Sequence, residues 1–217
     1  MSAIPLFDPT SLAIVLLGTV VATLLRCGWA DARLTSRALG QLFGRSFDAV
    51  HARAELAVQV QEIEEDGLLR AVPHHFGDGE FDEMTDALIR TRSIQALHES
   101  HEDHRARRIE ASRRAVVVLV SAAELSPVFG LVGTLVALGR LSSTVASTGN
   151  FAGAIGMAVA TTLYGLVLAN FLFAPLAAMI SRRAEAEDRA REGLIAWLSA
   201  AIEGSCKRDP EQPRHAA

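Results

Sequence analysis

Apolar residues along the chain collect in three blocks, and polar residues fill the stretches between and after them. The blocks cover residues 11–30, 115–138 and 151–180. A helix that crosses a bilayer needs about 20 predominantly apolar residues. The second and third blocks are long enough to cross with tilt, and the first is only just long enough. The pattern predicts three transmembrane helices, with an interfacial helix as the alternative for the first block.

Two residues near the end of the first block fit a membrane boundary. Arg26 can extend its charged end to the interface, and Trp29 suits the interfacial aromatic belt. The first ten residues hold no Lys or Arg, so the charged region of a cleavable signal peptide is missing. We therefore interpret the first block as a retained span.

The polar stretch 31–114 is predicted to be a mostly helical arm rather than a separate folded domain. Apolar positions such as Met84, Leu88 and Ile89 recur at helical spacing. The segment 73–82, with one Pro and two Gly, predicts a turn between helices. After the third block, residues 181–217 predict a helix that leaves the membrane, with the last dozen residues disordered.

The arginines indicate an orientation. They cluster after the first block, before the second and after the third, whereas the loop 140–150 holds only Arg140. Because positive residues favour the cytoplasmic side, the N-terminus and this loop are predicted to lie outside. Residues 1–30 then form a periplasmic end and first span, 31–114 a cytosolic arm, 115–180 two further spans, and 181–217 a cytosolic helix and tail.

Composition excludes several classes of function. Half of the 217 residues are apolar and the net charge is -4, so a nucleic-acid partner is not indicated. Cys27 and Cys206 are far apart and give neither a disulfide framework nor zinc spacing. His98, His101 and His104 predict a solvated helix face, with a metal-dependent enzyme as a remote alternative. The sequence shows no nucleotide loop or nucleophile elbow, so we expect neither a cofactor nor enzymatic activity.

The second and third blocks carry small residues at helical spacing, which lets helix backbones approach closely in a bilayer. Thr134 and Thr162 lie within these stripes. Each hydroxyl can bond back to its own helix or hold water or an ion along a pathway. The stripes consist of Ala123, Pro127, Gly130, Thr134 and Ala137, and of Ala154, Ala158, Thr162, Gly165 and Ala169; Gly130, Gly133 and Gly165 are the predicted packing glycines.

Pro127 and Pro175 lie well inside their blocks. A proline removes a backbone hydrogen bond, so each predicts a kink, either static or flexing as an ion site fills and empties. Glu124 is the only acidic residue of the second block. An intramembrane carboxylate is a candidate for ion passage, with a hydrated position near the cytosol as the alternative.

Three strings resemble one family. SPVFGLVGTLVAL resembles the pore-helix motif of the MotA/TolQ/ExbB proton-channel family. GMAVATTLYGLVLANFLFAPLA resembles the final span of MotA-like flagellar stator subunits, and DPTSLAIVLLGTVVATLLR resembles their second span. The resemblance is specific over residues 115–180 and weaker elsewhere.

The resemblance implies a fold, a site and partners. Pro127 and Pro175 match the family's prolines, and Thr134 and Thr162 match threonines that line an ion path. That path lies beside an intramembrane Asp of a single-span MotB/ExbD-like partner. Members of this kind form a homopentameric ring in the bacterial inner membrane, and H⁺ or Na⁺ flow drives motion against a rotor or a periplasm-spanning partner.

The expected protein is an all-α, three-span membrane protein with a long helical cytosolic arm, assembled in a ring. Its expected function is ion conduction in a motor that converts proton motive force into mechanical work, with the flagellar stator type favoured. Three spans with the N-terminus outside match the ExbB/TolQ layout, so an energiser of outer-membrane transport stays open. A membrane scaffold without conduction is the alternative from another class.

Overall fold

The computed structural model describes residues 8–42, 44, 47–66, 78–91, 93–142 and 148–208, and its regular elements are all helical. Residues 73–77 of the predicted turn, residues 143–147 of the loop 140–150 and residues 209–217 of the tail lie outside the described residues, whereas residues 79–82 of the predicted turn are helical. The helices are α1 (Pro9–Cys27), α2 (Trp29–Leu42), α3 (Ala49–Asp66), α4 (Gly79–Thr91), α5 (Ile94–Ser142), α6 (Thr148–Val167), a π-helical segment (Leu168–Phe173) and α7 (Ala174–Arg208).

Within the residues that the structure describes, three stretches of helix are long and apolar enough to cross a membrane. They lie within Pro9–Cys27, Ile94–Gly139 and Ala152–Gly204. This confirms the predicted all-helical fold with three candidate spans. The first span begins at Asp8, whose carboxylate accepts from the Thr10 N–H at 3.0 Å, and it ends at Gly28, whose φ of 87° suits glycine.

The described residues form two compact units. The first combines Met1–Gly44 with Ala111–Arg183, and the second combines Arg45–Glu110 with Ala184–Ala217. The second unit has its own apolar core, which differs from the predicted arm without a separate domain. This core is assembled from one apolar face of each of four helix segments: α3, α4, the start of α5 and the end of α7. Because these segments are distant in the sequence, no local pattern reveals the core. The core residues are Leu56, Val60, Phe81, Met84, Leu88, Leu97, Leu194, Ile195, Leu198 and Ile202.

A buried arginine ties α7 to the start of α4. Arg191 is only 7 % exposed, and its guanidinium donates to Asp78 at 2.9 Å and to Glu187 at 3.0 Å. The same group lies 4.2 Å from the centre of the Phe47 ring. Hydrogen bonds and a cation–π contact thus compensate a charge that would otherwise be costly to bury.

Replacing Arg191 with methionine should lower the free energy of unfolding of the second unit by about 2–4 kcal/mol, because the variant leaves half-buried carboxylates without their cation. The chain has two tryptophans, so a Trp29→Phe background leaves Trp197 to report on this unit. Thermal unfolding followed by Trp197 fluorescence measures the effect. The exposed Arg189→Met is the control, and equal melting temperatures for both variants would contradict this role.

His101 should make the stability of the second unit depend on pH. Its side chain is 4 % exposed and neither ring nitrogen has a hydrogen-bond partner. Burial, and then the nearby positive charge of Arg108, lower the pKa of His101. Between the ordinary pKa of histidine and the lowered pKa of His101 in the folded state, the unfolded chain binds a proton that the folded chain does not. Stability therefore falls as the pH drops below the ordinary pKa.

The measurement compares unfolding followed by Trp197 fluorescence at about pH 8 and about pH 5.5. The change in stability between the two conditions should be smaller in His101→Leu than in the parent. His51→Leu, which alters an exposed histidine of the same unit, should keep the parental pH dependence. An unchanged pH dependence in His101→Leu would refute the assignment.

Candidate ion pathway

The second and third spans cross at two glycines. A Cβ atom on Gly165 would lie 2.7 Å from the Ser126 carbonyl oxygen and 3.2 Å from the Cα atoms of Gly130 and Pro127. A Cβ atom on Gly130 would lie 2.9 Å from the Thr161 carbonyl oxygen. The two backbones are therefore in contact, as small residues allow in a membrane.

Gly133 supports the same crossing one turn further along α5. A Cβ atom there would lie 2.6 Å from the Cβ and Cγ2 atoms of Thr161. Thr161 is fully buried and donates to the Ala158 carbonyl at 2.9 Å. Thr161 was not among the predicted site residues. The adjacent pair of threonines at 161 and 162 was the available signal, since one of two neighbours on a helix must face a different direction.

Thr134 and Thr162 lie in one groove between α5 and α6. The remaining lining is apolar and consists of Ala158, Val159, Leu163 and Leu166. Thr134 donates to the Leu131 carbonyl at 2.6 Å, and Thr162 donates to the Ala158 carbonyl at 3.2 Å. Both hydroxyls therefore bond back to their own helices.

These bonds leave the threonine oxygens able to bind a cation. A hydroxyl that donates its hydrogen retains two acceptor lone pairs. In the groove of Thr134 and Thr162, the donated hydrogens point to backbone carbonyls, which leaves the lone pairs for other ligands. The groove can thus offer two oxygen ligands from two helices within an otherwise apolar wall.

A second groove runs between α5 and the region of the π-helical segment. Its polar residues are Glu124, Asn170 and Ser181, and Pro127 also lines it. The Glu124 carboxylate accepts a hydrogen bond from the Arg26 guanidinium at 3.0 Å. The sequence does not reveal this pair, because 98 positions separate the two residues and no periodic pattern pairs α1 with α5.

The two predicted kink prolines have different surroundings. Pro127 lies within the continuous helix α5, whereas Pro175 is the second residue after the π-helical segment. In that segment the Ala174 N–H bonds to the carbonyl of Ala169, five residues back. A wide turn next to a proline accommodates the missing proline N–H. Pro175 is not among the residues that line either groove.

The histidines of α5 have three different surroundings. A ring nitrogen of His98 lies 3.2 Å from the Ser199 hydroxyl, and one of His104 lies 3.0 Å from a Glu83 carboxylate oxygen. His101 is buried without a polar partner, so the predicted solvated helix face is wrong at this position. Within the described ranges no group of three or more His, Cys, Asp or Glu could hold a metal ion. The geometry gives the metal-enzyme alternative no support.

These features define a helical membrane protein whose last two spans pack through glycine and carry hydroxyl groups along one groove. The sequence model of the MotA/TolQ/ExbB proton channel family matches residues 70–193, which is more than half of the chain. The chain belongs to this family, as its span motifs predict. The family consists of proton channels, in agreement with an expected function other than catalysis.

Relatives match nearly the whole chain. YtxD, an uncharacterised protein of Bacillus subtilis strain 168, is 29 % identical over 94 % of this chain and 76 % of its own length. Motility protein A of Cereibacter sphaeroides is 26 % identical over 94 % of this chain and 81 % of its own length.

Two solved structures share the fold. The C. jejuni MotAB structure matches with a TM-score of 0.82 and 19 % identity, over 94 % of this chain and 81 % of that one. The flagellar MotAB stator complex of Bacillus subtilis matches with a TM-score of 0.80 and 19 % identity, over 92 % and 80 % of the two chains.

Proposed function

We propose that this protein is the ion-conducting subunit of an inner-membrane motor complex of the MotA-like flagellar stator type. The observation that carries the proposal is the groove in which Thr134 and Thr162 come together on two spans packed through glycine. Similarity to a motility protein over 94 % of the chain supports the stator type. In this role the complex converts proton motive force into mechanical work.

The chain needs a partner to complete the pathway. A threonine hydroxyl can coordinate a cation or orient water, but it does not release a proton near neutral pH. Residues 151–180 contain no Asp or Glu. We therefore assign the proton-accepting or cation-binding carboxylate to an intramembrane Asp of a single-span MotB-like protein. The two similar structures are complexes of MotA with MotB, which supports this assignment.

The assembly and orientation are parts of the same proposal. Several copies of the chain surround the single-span partner in a homopentameric ring, so that each copy presents its groove to the central carboxylate. The N-terminus faces the periplasm, and residues 31–114 and 181–217 face the cytosol, where they transmit motion to a rotor. Hydroxyl oxygens bind H⁺-carrying water or Na⁺, so both ions fit the groove.

Reconstitution with the partner tests the proposal. The chain is co-purified with the single-span protein expressed from a neighbouring gene and placed in liposomes, and proton or sodium entry is followed with dyes. We expect flux that disappears when the intramembrane Asp of the partner is changed to Asn. A complex that passes neither ion would refute conduction and favour a membrane scaffold.

An ExbB/TolQ-like energiser of outer-membrane transport is the second candidate. The three candidate spans favour it, because this is the layout implied for that branch of the family. The periplasmic domain of the single-span partner distinguishes the stator from the energiser. A peptidoglycan-binding domain behind its single span indicates the stator, whereas a small ExbD-like periplasmic domain indicates the energiser.

A further inference from the structure

A charge pair joins the first span to the second within one chain. The Nη1 atom of Arg26, in the last turn of α1, lies 3.0 Å from the Oε2 atom of Glu124 in α5. Both residues lie on stretches of helix that contain a candidate span. Among residues 115–138 Glu124 is the only acidic residue, so this pair accounts for the whole negative charge of the second block.

A second contact joins the same two helices nearby. A Cβ atom on Gly18 would lie 2.3–2.9 Å from three carbon atoms of the Phe129 ring, so α1 accepts this ring only because residue 18 is glycine. The two contacts bracket Pro127, which follows Glu124 by three positions and precedes Phe129 by two.

The bracketed point is a proline inside the continuous helix α5. Pro127 has no N–H, so the helix lacks one backbone hydrogen bond there and can bend. On α6, Gly165 lies against the Cα atom of Pro127. The proline is thus held by α6, and its flanking residues are held by α1.

We propose that Arg26 and Glu124 form a fixed charge pair that positions α5 at Pro127, and that Glu124 is therefore a positioning residue rather than a carrier of the ion. This inference rests on the proposed ion conduction and gives Glu124 a different role from the ion passage that the sequence suggests. A carboxylate held by a guanidinium would have to break that pair in every transport cycle.

The contribution of the charge pair to stability depends on whether water or membrane surrounds it. Arg26 and Glu124 are 54 % and 58 % exposed in the isolated chain, and in water such a pair would contribute little. Within a membrane-spanning region the opposite holds, because a charge that loses its partner there is costly. Removing either residue alone should therefore harm the protein more than removing both.

A set of paired substitutions tests this difference. The variants are Arg26→Met, Glu124→Gln, the neutral double variant, the charge exchange Arg26→Glu with Glu124→Arg, and the conservative Arg26→Lys. Arg33→Met, which removes a positive charge from α2, is the control. The full-length complex is assayed for melting temperature in detergent and for ion flux in liposomes.

We expect each single charge removal to lower flux about tenfold and to lower the melting temperature. The neutral double variant, the charge exchange and Arg26→Lys should recover flux to within about threefold of the parent. Arg33→Met should match the parent in both measurements.

Two results would overturn the inference. If Glu124→Gln and the neutral double variant both keep the parental melting temperature but pass no ions, Glu124 is a carrier. If every variant behaves like the parent, the pair has no positioning role. A parent without flux would refute the proposed function instead, and the melting temperatures would still decide whether the charges are coupled.

Discussion

Replacing Gly165 with leucine should abolish the packing of the last two spans and leave no stably folded protein. The contacts that a side chain would meet are the backbone atoms of Ser126, Gly130 and Pro127, which cannot rotate aside as a side chain can. Even Gly165→Ala should cost about 1–3 kcal/mol, because the added carbon lies well inside van der Waals distance of the Ser126 carbonyl oxygen. Melting temperature and protease resistance in detergent measure both variants.

Gly156 provides the matched control for this prediction. It lies on the same helix as Gly165, and a Cβ atom there would meet nothing within 4 Å. Gly156→Ala should therefore leave stability unchanged or raise it by up to about 1 kcal/mol, since alanine favours a helix. Gly165→Ala should thus lower stability, whereas Gly156→Ala should leave it unchanged or raise it. Equal melting temperatures would mean that the spans do not cross at Gly165.

Replacing Thr162 with valine should reduce ion flux at least about tenfold while insertion and assembly stay intact. Valine keeps the shape and volume of threonine but removes the hydroxyl of a residue that lines the groove shared with Thr134. Thr162→Ser keeps the hydroxyl and should retain most of the flux. Flux is measured in liposomes with the single-span partner, and assembly is checked by size-exclusion chromatography.

Thr161 is a stringent control because it is the neighbouring residue and uses the same acceptor, the Ala158 carbonyl. Its side chain packs on Gly133 rather than lining the groove. Thr161→Val should therefore retain far more flux than Thr162→Val. Full activity of Thr162→Val, or an equal loss in both variants, would contradict the assignment of the groove as the pathway.

The spans and the groove could be predicted because each depends on local spacing. Block length predicts a crossing helix, and helical periodicity places Thr134 with Gly130 and Thr162 with Gly165 on the faces that meet. The close contact of the two spans at Gly130 and Gly165 also follows from small residues at helical spacing. The family motifs in these spans then indicated which of several small-residue faces carries the pathway.

The features that were missed depend on contacts between distant parts of the chain. The pairing of Arg26 with Glu124 requires knowing that α1 lies against α5, and the core of the second unit requires joining α4 to the end of α7. Arg191 illustrates the difficulty. In the sequence it is one of several arginines near the third block, and only its position beside Phe47 and Asp78 shows that it is buried.

The π-helical segment Leu168–Phe173 also has a consequence for anyone who compares this chain with others. A wide turn holds more residues than an α-helical turn, so side chains beyond it are rotated relative to a face drawn through Gly165 with uniform spacing. Two sequences can therefore share the same helix while an alignment without a gap assigns different directions to Pro175 and the residues that follow it. A relative whose last span is α-helical throughout would present the faces beyond this point one residue out of step with this chain.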